Sequence, residues 1–292
     1  MSIIARRAAD AGSVADKLVA TPPVTSKGEN IMSGLDQFFR WLHVFTGILW
    51  IGMLYFFNFV NGPFAGTLDG ESKKKVVPEL MPRALFWFRW GAAYTWITGV
   101  LLLGIVFYSE RTNLLGADNK GWQLSAVVMV AFTFLASFLY DIIAKSGLGK
   151  NIKVLASVGF VLVAVTLYLM ADWARFTYRG YLIHIGAMFG TIMAFNVWFR
   201  IWPSQKKIIT AVKNGEAPDA AIVALAGARS RHNTYLSLPL IWAMLNLHST
   251  YFAGGNLAIP GDWAWTTMLV VILLGWHIIW QCYRRAGKVK GF

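Results

Sequence analysis

Apolar residues occur along this chain in blocks of about twenty, separated by shorter polar segments. The blocks lie at roughly 36–60, 84–108, 122–143, 152–172, 181–203, 235–254 and 263–283. A helix needs about 20 consecutive apolar residues to cross the hydrocarbon core of a bilayer, because each residue adds about 1.5 Å along the helix axis. The pattern therefore predicts an all-α integral-membrane bundle of about seven transmembrane helices, which occupies residues 35–292.

Residues 1–34 have a different character and are predicted to form a flexible N-terminal tail. The segment is polar and Ala-rich and contains Pro22-Pro23. It lacks an apolar stretch after Arg6 and Arg7, so it is not predicted to be a signal peptide. Met32 lies directly before the first span, and both Met1 and Met32 are open as the true start.

The net charge of +13 suggests nucleic acid at first, but the position of the charges favours a membrane protein. Arg111, Lys120, Arg175 and Arg179 fall in loops on the side of the N-terminus. The larger basic group falls in the alternate loops and at the C-terminus, with Lys73, Lys74, Lys75, Arg83, Lys145, Lys150, Lys153, Lys206, Lys207, Lys213, Arg229, Arg231, Arg284, Arg285, Lys288 and Lys290. The positive-inside rule then predicts an N-terminus outside and a C-terminus in the cytoplasm.

The five histidines are the first candidates for chemistry. Four lie inside apolar blocks, at His43, His184, His248 and His277, and His232 lies just before one. Ionisable side chains are costly in hydrocarbon, and a neutral imidazole is a common axial ligand of haem iron. With the N-terminus outside, His43, His184 and His248 lie at an outer level, whereas His232 and His277 lie at an inner level. The pattern predicts one or two haem b groups, with His43, His184, His248 and His277 as the iron ligands.

Other interpretations of these histidines stay open. His232 stands beside Arg231 and Asn233, where an interfacial position explains it equally well. A proton relay normally needs buried carboxylates, but Asp141 and Asp172 fall at span ends. A cofactor-free transporter is disfavoured because the spans lack central carboxylates and broken helices.

Arginines and small residues near the histidines add to the haem interpretation. Arg89 lies deeper in its span than Arg40 or Arg200, so it is the candidate partner for a haem propionate, whereas snorkelling to the headgroups explains the other two. Glycines follow or precede the histidines, as in Gly186 and Gly275, and either leave room for a flat porphyrin or let helices pack closely. Cys282 is alone, so no CxxCH motif for covalent haem is present.

Two segments carry a resemblance to a known family. Residues 40–52, RWLHVFTGILWIG, resemble the first-helix signature of the integral-membrane domain of bacterial membrane-bound urate oxidases. Residues 229–248, RSRHNTYLSLPLIWAMLNLH, are similar to a second signature of the same family. The resemblance covers most of the chain from about residue 35.

The resemblance implies a multi-span domain in a bacterial inner membrane, coupled to a cytochrome c domain that takes electrons from urate. This sequence lacks the cytochrome c domain, so electrons are expected to leave to a separate cytochrome c or to a quinone. A purine site would need an arginine, an amide and an aromatic ring, which Arg229, Arg231, Asn233 and Tyr235 could supply. The expected function is that of a haem-b oxidoreductase or electron-transfer protein. The alternative is a non-catalytic haem-b or accessory subunit of a larger respiratory or photosynthetic membrane complex, so whether the chain is an enzyme stays open.

Overall fold

The computed structural model describes residues 27–117, 121–249, 251–252 and 260–290, and every element assigned within these ranges is helical. The chain divides after Phe38 into two units. Short π-helical turns lie at Phe56–Asn61, Gly104–Tyr108, Leu169–Trp173 and Val197–Ile201. The α-helices are α1 (Lys27–Tyr55), α2 (Gly62–Thr67), α3 (Gly70–Leu103), α4 (Arg111–Leu115), α5 (Leu124–Lys145), α6 (Ile152–Tyr168), α7 (Tyr178–Asn196), α8 (Trp202–Asn214), α9 (Ala220–Asn246) and α10 (Thr266–Ala286).

Within the described part of the chain, six helices are long and apolar enough to cross a membrane, as expected of a multi-pass membrane protein. They run over Ile31–Thr67, Gly70–Tyr108, Leu124–Lys145, Ile152–Trp173, Tyr178–Asn214 and Gly261–Ala286. The all-helical membrane fold is therefore confirmed, whereas the count of seven is not. The predicted span at 235–254 corresponds to α9, which ends at Asn246 and is not among the six.

Two segments expected outside the apolar blocks are helical, because an aspartate caps each helix at its start. The Asp69 side chain accepts a hydrogen bond from the Ser72 backbone N–H at 2.8 Å, so α3 begins well before the predicted span at 84–108. Asp219 accepts from the backbone N–H of Ala221 at 2.7 Å and starts α9. An N-cap satisfies backbone donors that otherwise have no partner in the first helical turn. The predicted N-terminal tail is described only from Lys27, where α1 begins; residues 1–26 lie outside the described ranges.

Helix α9 differs from the six spans because its polar side chains are turned towards the protein interior. Arg229 is 2% exposed, and Asn233, Thr234 and Ser237 are fully buried. These residues lower the mean hydropathy of α9 although the helix packs against α7 and α10. The buried polar face therefore accounts for part of its low hydropathy, and the exposed Arg231 contributes as well.

Glycines set the close approach of α9 to its neighbours. A Cβ on Gly186 of α7 would lie 2.7 Å from Met244 Cε, and a Cβ on Gly275 of α10 would lie 3.0 Å from Pro239 Cδ. The space beside these glycines is filled by side chains of α9. Of the two interpretations of these glycines, the structure supports helix packing.

Candidate functional site

The predicted ligand histidines lie in separate surroundings in the structure. Among the described residues, no three His, Cys, Asp or Glu side chains form a group that could hold a metal ion. Each histidine is therefore best characterised by what its two ring nitrogens contact. A neutral imidazole carries one N–H donor and one lone pair, and the partner of one nitrogen decides the role of the other.

His43 is half-buried on α1, and its Nδ1 lies 3.0 Å from Thr98 Oγ1 of α3. Thr98 Oγ1 also lies 2.7 Å from the backbone oxygen of Tyr94, which can only accept. The hydroxyl hydrogen is thus directed to Tyr94, and His43 Nδ1–H donates to Thr98. The ring also hydrogen-bonds to the Thr95 backbone. With the Nδ1 hydrogen on Thr98, the lone pair is on Nε2. This is the arrangement that metal-binding histidines commonly have.

His184 is fully buried near the start of α7. Its Nδ1 lies 2.7 Å from the backbone oxygen of Gly180, so Nδ1 carries the hydrogen. Its Nε2 lies 3.1 Å from the hydroxyl of Tyr108, which donates to the lone pair. The Phe176 ring packs beside the imidazole at a centroid distance of 5.1 Å. His184 thus has the tautomer of a ligand, but the chain itself already occupies the lone pair.

His43 and His184 do not lie at one level of the bundle. Their contacts on the second span, Thr98 and Tyr108, are ten residues apart, which is roughly 15 Å of rise along a helix. The structure therefore does not bring these two imidazoles to a shared iron position.

His277 and His248 are both exposed in this chain. His277 Nε2 lies 3.3 Å from the amide nitrogen of Gln281, and its ring lies 5.6 Å from that of Trp280. His248 follows the end of α9, where its backbone N–H donates to Leu245 O at 3.4 Å. Neither side chain faces the interior of the bundle.

His232 lies on α9 and borders a cavity of about 340 Å³ between α5, α6, α7, α9 and α10. The walls are mostly apolar, and Tyr140 is one of the few polar residues that share them with His232. His232 Nδ1 lies 2.8 Å from the Tyr140 hydroxyl. Of the five histidines, His232 alone lines this cavity, although the sequence left it open as an interfacial residue.

A series of hydrogen bonds determines which group is the donor in the hydrogen bond between Tyr140 and His232. It begins at Met193 O, a backbone acceptor that receives the Asn233 side-chain amide N–H at 2.9 Å. Asn233 Oδ1 therefore accepts from Asn196 Nδ2 at 2.8 Å, and the same amide donates to the Tyr140 oxygen at 3.1 Å. The Tyr140 hydrogen is then left for His232 Nδ1. A neutral His232 consequently carries its own hydrogen on Nε2, the opposite of His43 and His184.

Behind Tyr140 lies a buried ion cluster around Asp141. Arg200 binds both carboxylate oxygens, at 2.8 and 2.5 Å, while Arg229 and Lys145 bind one oxygen each, at 2.9 and 2.8 Å. Arg229 also lies over the Tyr140 ring, 5.0 Å from its centroid. Three cations share one carboxylate, and Arg229 Nη1 is buried without a hydrogen-bond partner among the described residues.

The sequence interpretation missed this cluster. Arg200 was expected to reach the headgroups, and in the structure its guanidinium pairs with Asp141. The available signal was an aspartate at the end of one span and arginines at the ends of two others, all on the same predicted side. Sequence alone does not show which ends of the helices meet.

Arg89, the candidate propionate partner, packs its guanidinium over the Trp202 ring at 4.0 Å from the centroid. Its Nε is buried and has no hydrogen-bond partner in the described ranges. The backbone oxygen of Arg89 accepts from Trp198 Nε1 at 3.1 Å. The free donor is compatible with an anionic partner, and the role of Arg89 stays a prediction.

The four residues considered for a purine site do not converge. Arg229 and Asn233 are buried and bonded within the bundle, as described above. Arg231 instead lies 5.6 Å from the Tyr283 ring, and Tyr235 stacks on the same ring at 5.9 Å. Residues two positions apart point in opposite directions on a helix, so the two pairs face different sides.

The fold and these contacts define a multi-pass α-helical membrane protein with histidines and a buried ion cluster between its helices. A family model described as urate oxidase N-terminal matches residues 64–290. The chain therefore belongs to the urate oxidase N-terminal family, which confirms the resemblance seen in the sequence. The second signature, 229–248, lies inside the matched region, and the first, 40–52, lies before it. No curated protein and no solved structure matches the chain.

Proposed function

We propose that this chain is a membrane electron-transfer protein of the urate oxidase type that binds haem b through a histidine of the bundle. The observation that carries the proposal is the state of His43, whose Nδ1 is held by Thr98, so that the Nε2 lone pair is the one available to a ligand. Family membership supports an oxidoreductase setting for this ligand. The donor chemistry at His43 therefore fits a haem iron.

The residues around the two ligand-type histidines have distinct tasks in this proposal. Thr98 fixes the rotation of the His43 ring and increases the basicity of Nε2 by accepting the Nδ1 hydrogen. Gly180 does the same for His184, whose Nε2 becomes accessible when the Tyr108 hydroxyl turns away. Haem b, when bound, supplies reversible one-electron chemistry at iron. Arg89 is the proposed partner of a propionate, since its buried Nε lacks an acceptor.

His248 and His277 are proposed as haem ligands only within an assembly of several subunits. Because both are exposed in the single chain, they bind haem only where a second subunit covers them. The exposure of these two histidines favours the alternative function as a haem-b or accessory subunit of a larger membrane complex. The residues considered for a purine site support the same alternative, because they face different sides of α9. In the first function the electrons come from urate and leave to a cytochrome c or a quinone. In the alternative the donor is another subunit.

The first experiment is a dithionite-reduced minus oxidised spectrum of the purified protein, with haem quantified as the pyridine haemochrome. We expect a haem-b signal in the wild type and a lower haem-to-protein ratio in His43→Ala or His184→Ala. His277→Ala serves as the exposed control and should keep the wild-type ratio in the isolated chain. A flat spectrum from folded wild-type protein would refute the proposal.

Urate in place of dithionite separates the two functions. Reduction of the haem by urate supports the oxidoreductase, and reduction by dithionite alone supports the subunit of a larger complex. Copurification of the chain with redox partners would add to the second result.

We further propose that α9 crosses the bilayer, which puts the two termini on opposite sides. The positive-inside rule then favours an N-terminus outside and a C-terminus in the cytoplasm of a bacterial inner membrane. A helix of 27 residues is about 40 Å long, more than the roughly 30 Å of the hydrocarbon core. Reporter fusions test this: alkaline phosphatase should be active at the N-terminus and green fluorescent protein should fluoresce at the C-terminus. Both termini on one side of the membrane would contradict the seventh crossing.

A further inference from the structure

The cavity beside His232 borders the outer surface of the bundle. Leu139 of α5 and Ile152 and Leu162 of α6 line it, and all three are also exposed to the surroundings of the chain. In a membrane-spanning bundle such apolar surface faces lipid. The volume of about 340 Å³ is within the range of small-molecule sites, so a ligand dissolved in the bilayer can enter from the side.

The polar groups of the cavity are mainly hydrogen-bond donors. The Tyr140 hydrogen occupies His232 Nδ1, so the histidine presents Nε2–H. Trp276 of α10 also lines the cavity, and its indole N–H has no acceptor among the described residues. Lys153 is the charged residue of the wall, and no carboxylate lines it. Tyr235 adds a hydroxyl that can donate or accept, so a bound molecule that supplies acceptors suits the wall.

These observations lead to a specific occupant. We propose that the cavity binds an isoprenoid quinone, with His232 Nε2–H donating a hydrogen bond to a quinone carbonyl oxygen and with the apolar walls holding the ring and the first part of its tail. A para-quinone carries two carbonyl oxygens on opposite edges of a flat ring. One accepts from His232, and Trp276 supplies an indole N–H without an acceptor among the described residues for the other. The site deepens the proposed function, on which it rests, by assigning the electron acceptor.

The same hydrogen-bond chain argues against His232 as a haem ligand. Coordination through Nε2 requires the lone pair there and the hydrogen on Nδ1. Nδ1–H would then point at the Tyr140 oxygen, which already accepts from Asn196, and the Tyr140 hydrogen would lose its acceptor. An unsatisfied buried donor is unfavourable, so His232 is assigned to the quinone and the haem to the other histidines.

Binding is tested by isothermal titration of the detergent-purified, full-length protein with decylubiquinone. Decylbenzene, which has the same alkyl chain and no carbonyl oxygen, is the ligand control. We expect His232→Ala and Trp276→Phe each to weaken decylubiquinone binding by about three- to tenfold, the contribution of one neutral hydrogen bond. The matched control is Thr166→Val, since Thr166 lines the cavity but its hydroxyl donates to Leu162 O at 2.7 Å. It should bind like the wild type.

Three results would overturn the inference. The first is displacement of decylubiquinone by decylbenzene at equal concentration, which would make the cavity a lipid site. The second is wild-type binding of decylubiquinone by both His232→Ala and Trp276→Phe. The third is loss of haem in His232→Ala, which would make His232 an iron ligand. Because the titration does not depend on haem, a protein that binds decylubiquinone but gives a flat haem spectrum would contradict the proposed function and leave the quinone site standing.

Discussion

Replacing Asp141 with alanine removes the one carboxylate that pairs with three cations. Arg229 is affected most, because it is 2% exposed and has no route to water. Lys145 and Arg200 are 52% and 23% exposed in their side chains, so both can turn towards solvent or headgroups. The substitution therefore leaves one guanidinium buried without a counter-ion.

The expected loss follows from that single buried charge. Removing one partner of a buried ion pair costs about 3–5 kcal/mol, whereas exposed pairs contribute about 0.2–1 kcal/mol. In a domain of roughly this size 1 kcal/mol corresponds to about 2–4 °C in Tm. We therefore expect Asp141→Ala to unfold roughly 6–20 °C below the wild type.

Thermal unfolding in mild detergent, followed by circular dichroism, measures this shift. Glu79→Ala is the matched control, because it removes a carboxylate from a pair with Arg83 in which both side chains are more than 70% exposed. The double variant Asp141→Ala with Arg229→Met should recover most of the loss, since it removes the buried charge as well. If Asp141→Ala shifts the Tm no more than Glu79→Ala does, the reasoning about the buried cluster is wrong.

Two further predictions concern the contact of α1 with α3. Gly91→Ala should lower the Tm, because the new Cβ would lie 3.2 Å from the backbone nitrogen of Trp50. The control is Gly52→Ala, which should not lower the Tm because its Cβ would have nothing within 4 Å. Equal effects of the two substitutions in thermal unfolding would contradict the close packing. Thr98→Val should lower the haem content of the purified protein, because it removes the acceptor that holds His43 Nδ1. An unchanged pyridine haemochrome value would show that this hydrogen bond does not support a haem ligand.

Hydropathy predicted the six candidate spans because most of their residues are apolar. It also predicted a span in α9, but this helix is less apolar and is not among the six. Arg229 and Asn233 reduce its hydropathy, yet they face other helices and have internal partners. The pattern of apolar residues measures composition, and composition does not tell whether a polar side chain meets water, lipid or another side chain.

The ion cluster could be predicted only in part. Asp141, Arg200 and Arg229 are visible in the sequence as charges near helix ends, and the positive-inside rule places them on one side. Their meeting depends on the packing of α5, α7 and α9, which a single sequence does not contain. The same limit applies to the cavity, because its walls come from five helices far apart in the chain.

The histidines show the same limit, because the sequence predicts the same ligand role for four of them and leaves His232 open. In the structure, the tautomers of His184 and His232 differ through the direction of hydrogen bonds that end at backbone carbonyls. Gly180 O receives a hydrogen from His184 directly, which leaves a lone pair on Nε2. Met193 O receives one from Asn233, so Asn233 accepts from Asn196, and Asn196 also donates to Tyr140. Tyr140 then donates to His232 Nδ1, which leaves the hydrogen of His232 on Nε2. His184 thus carries a lone pair on Nε2, to which Tyr108 donates, whereas His232 carries a hydrogen there, although both hydrogen-bond paths begin at a backbone oxygen. The tautomers of His184 and His232 are therefore set by the number and type of groups between the ring and the backbone, which only the folded structure supplies.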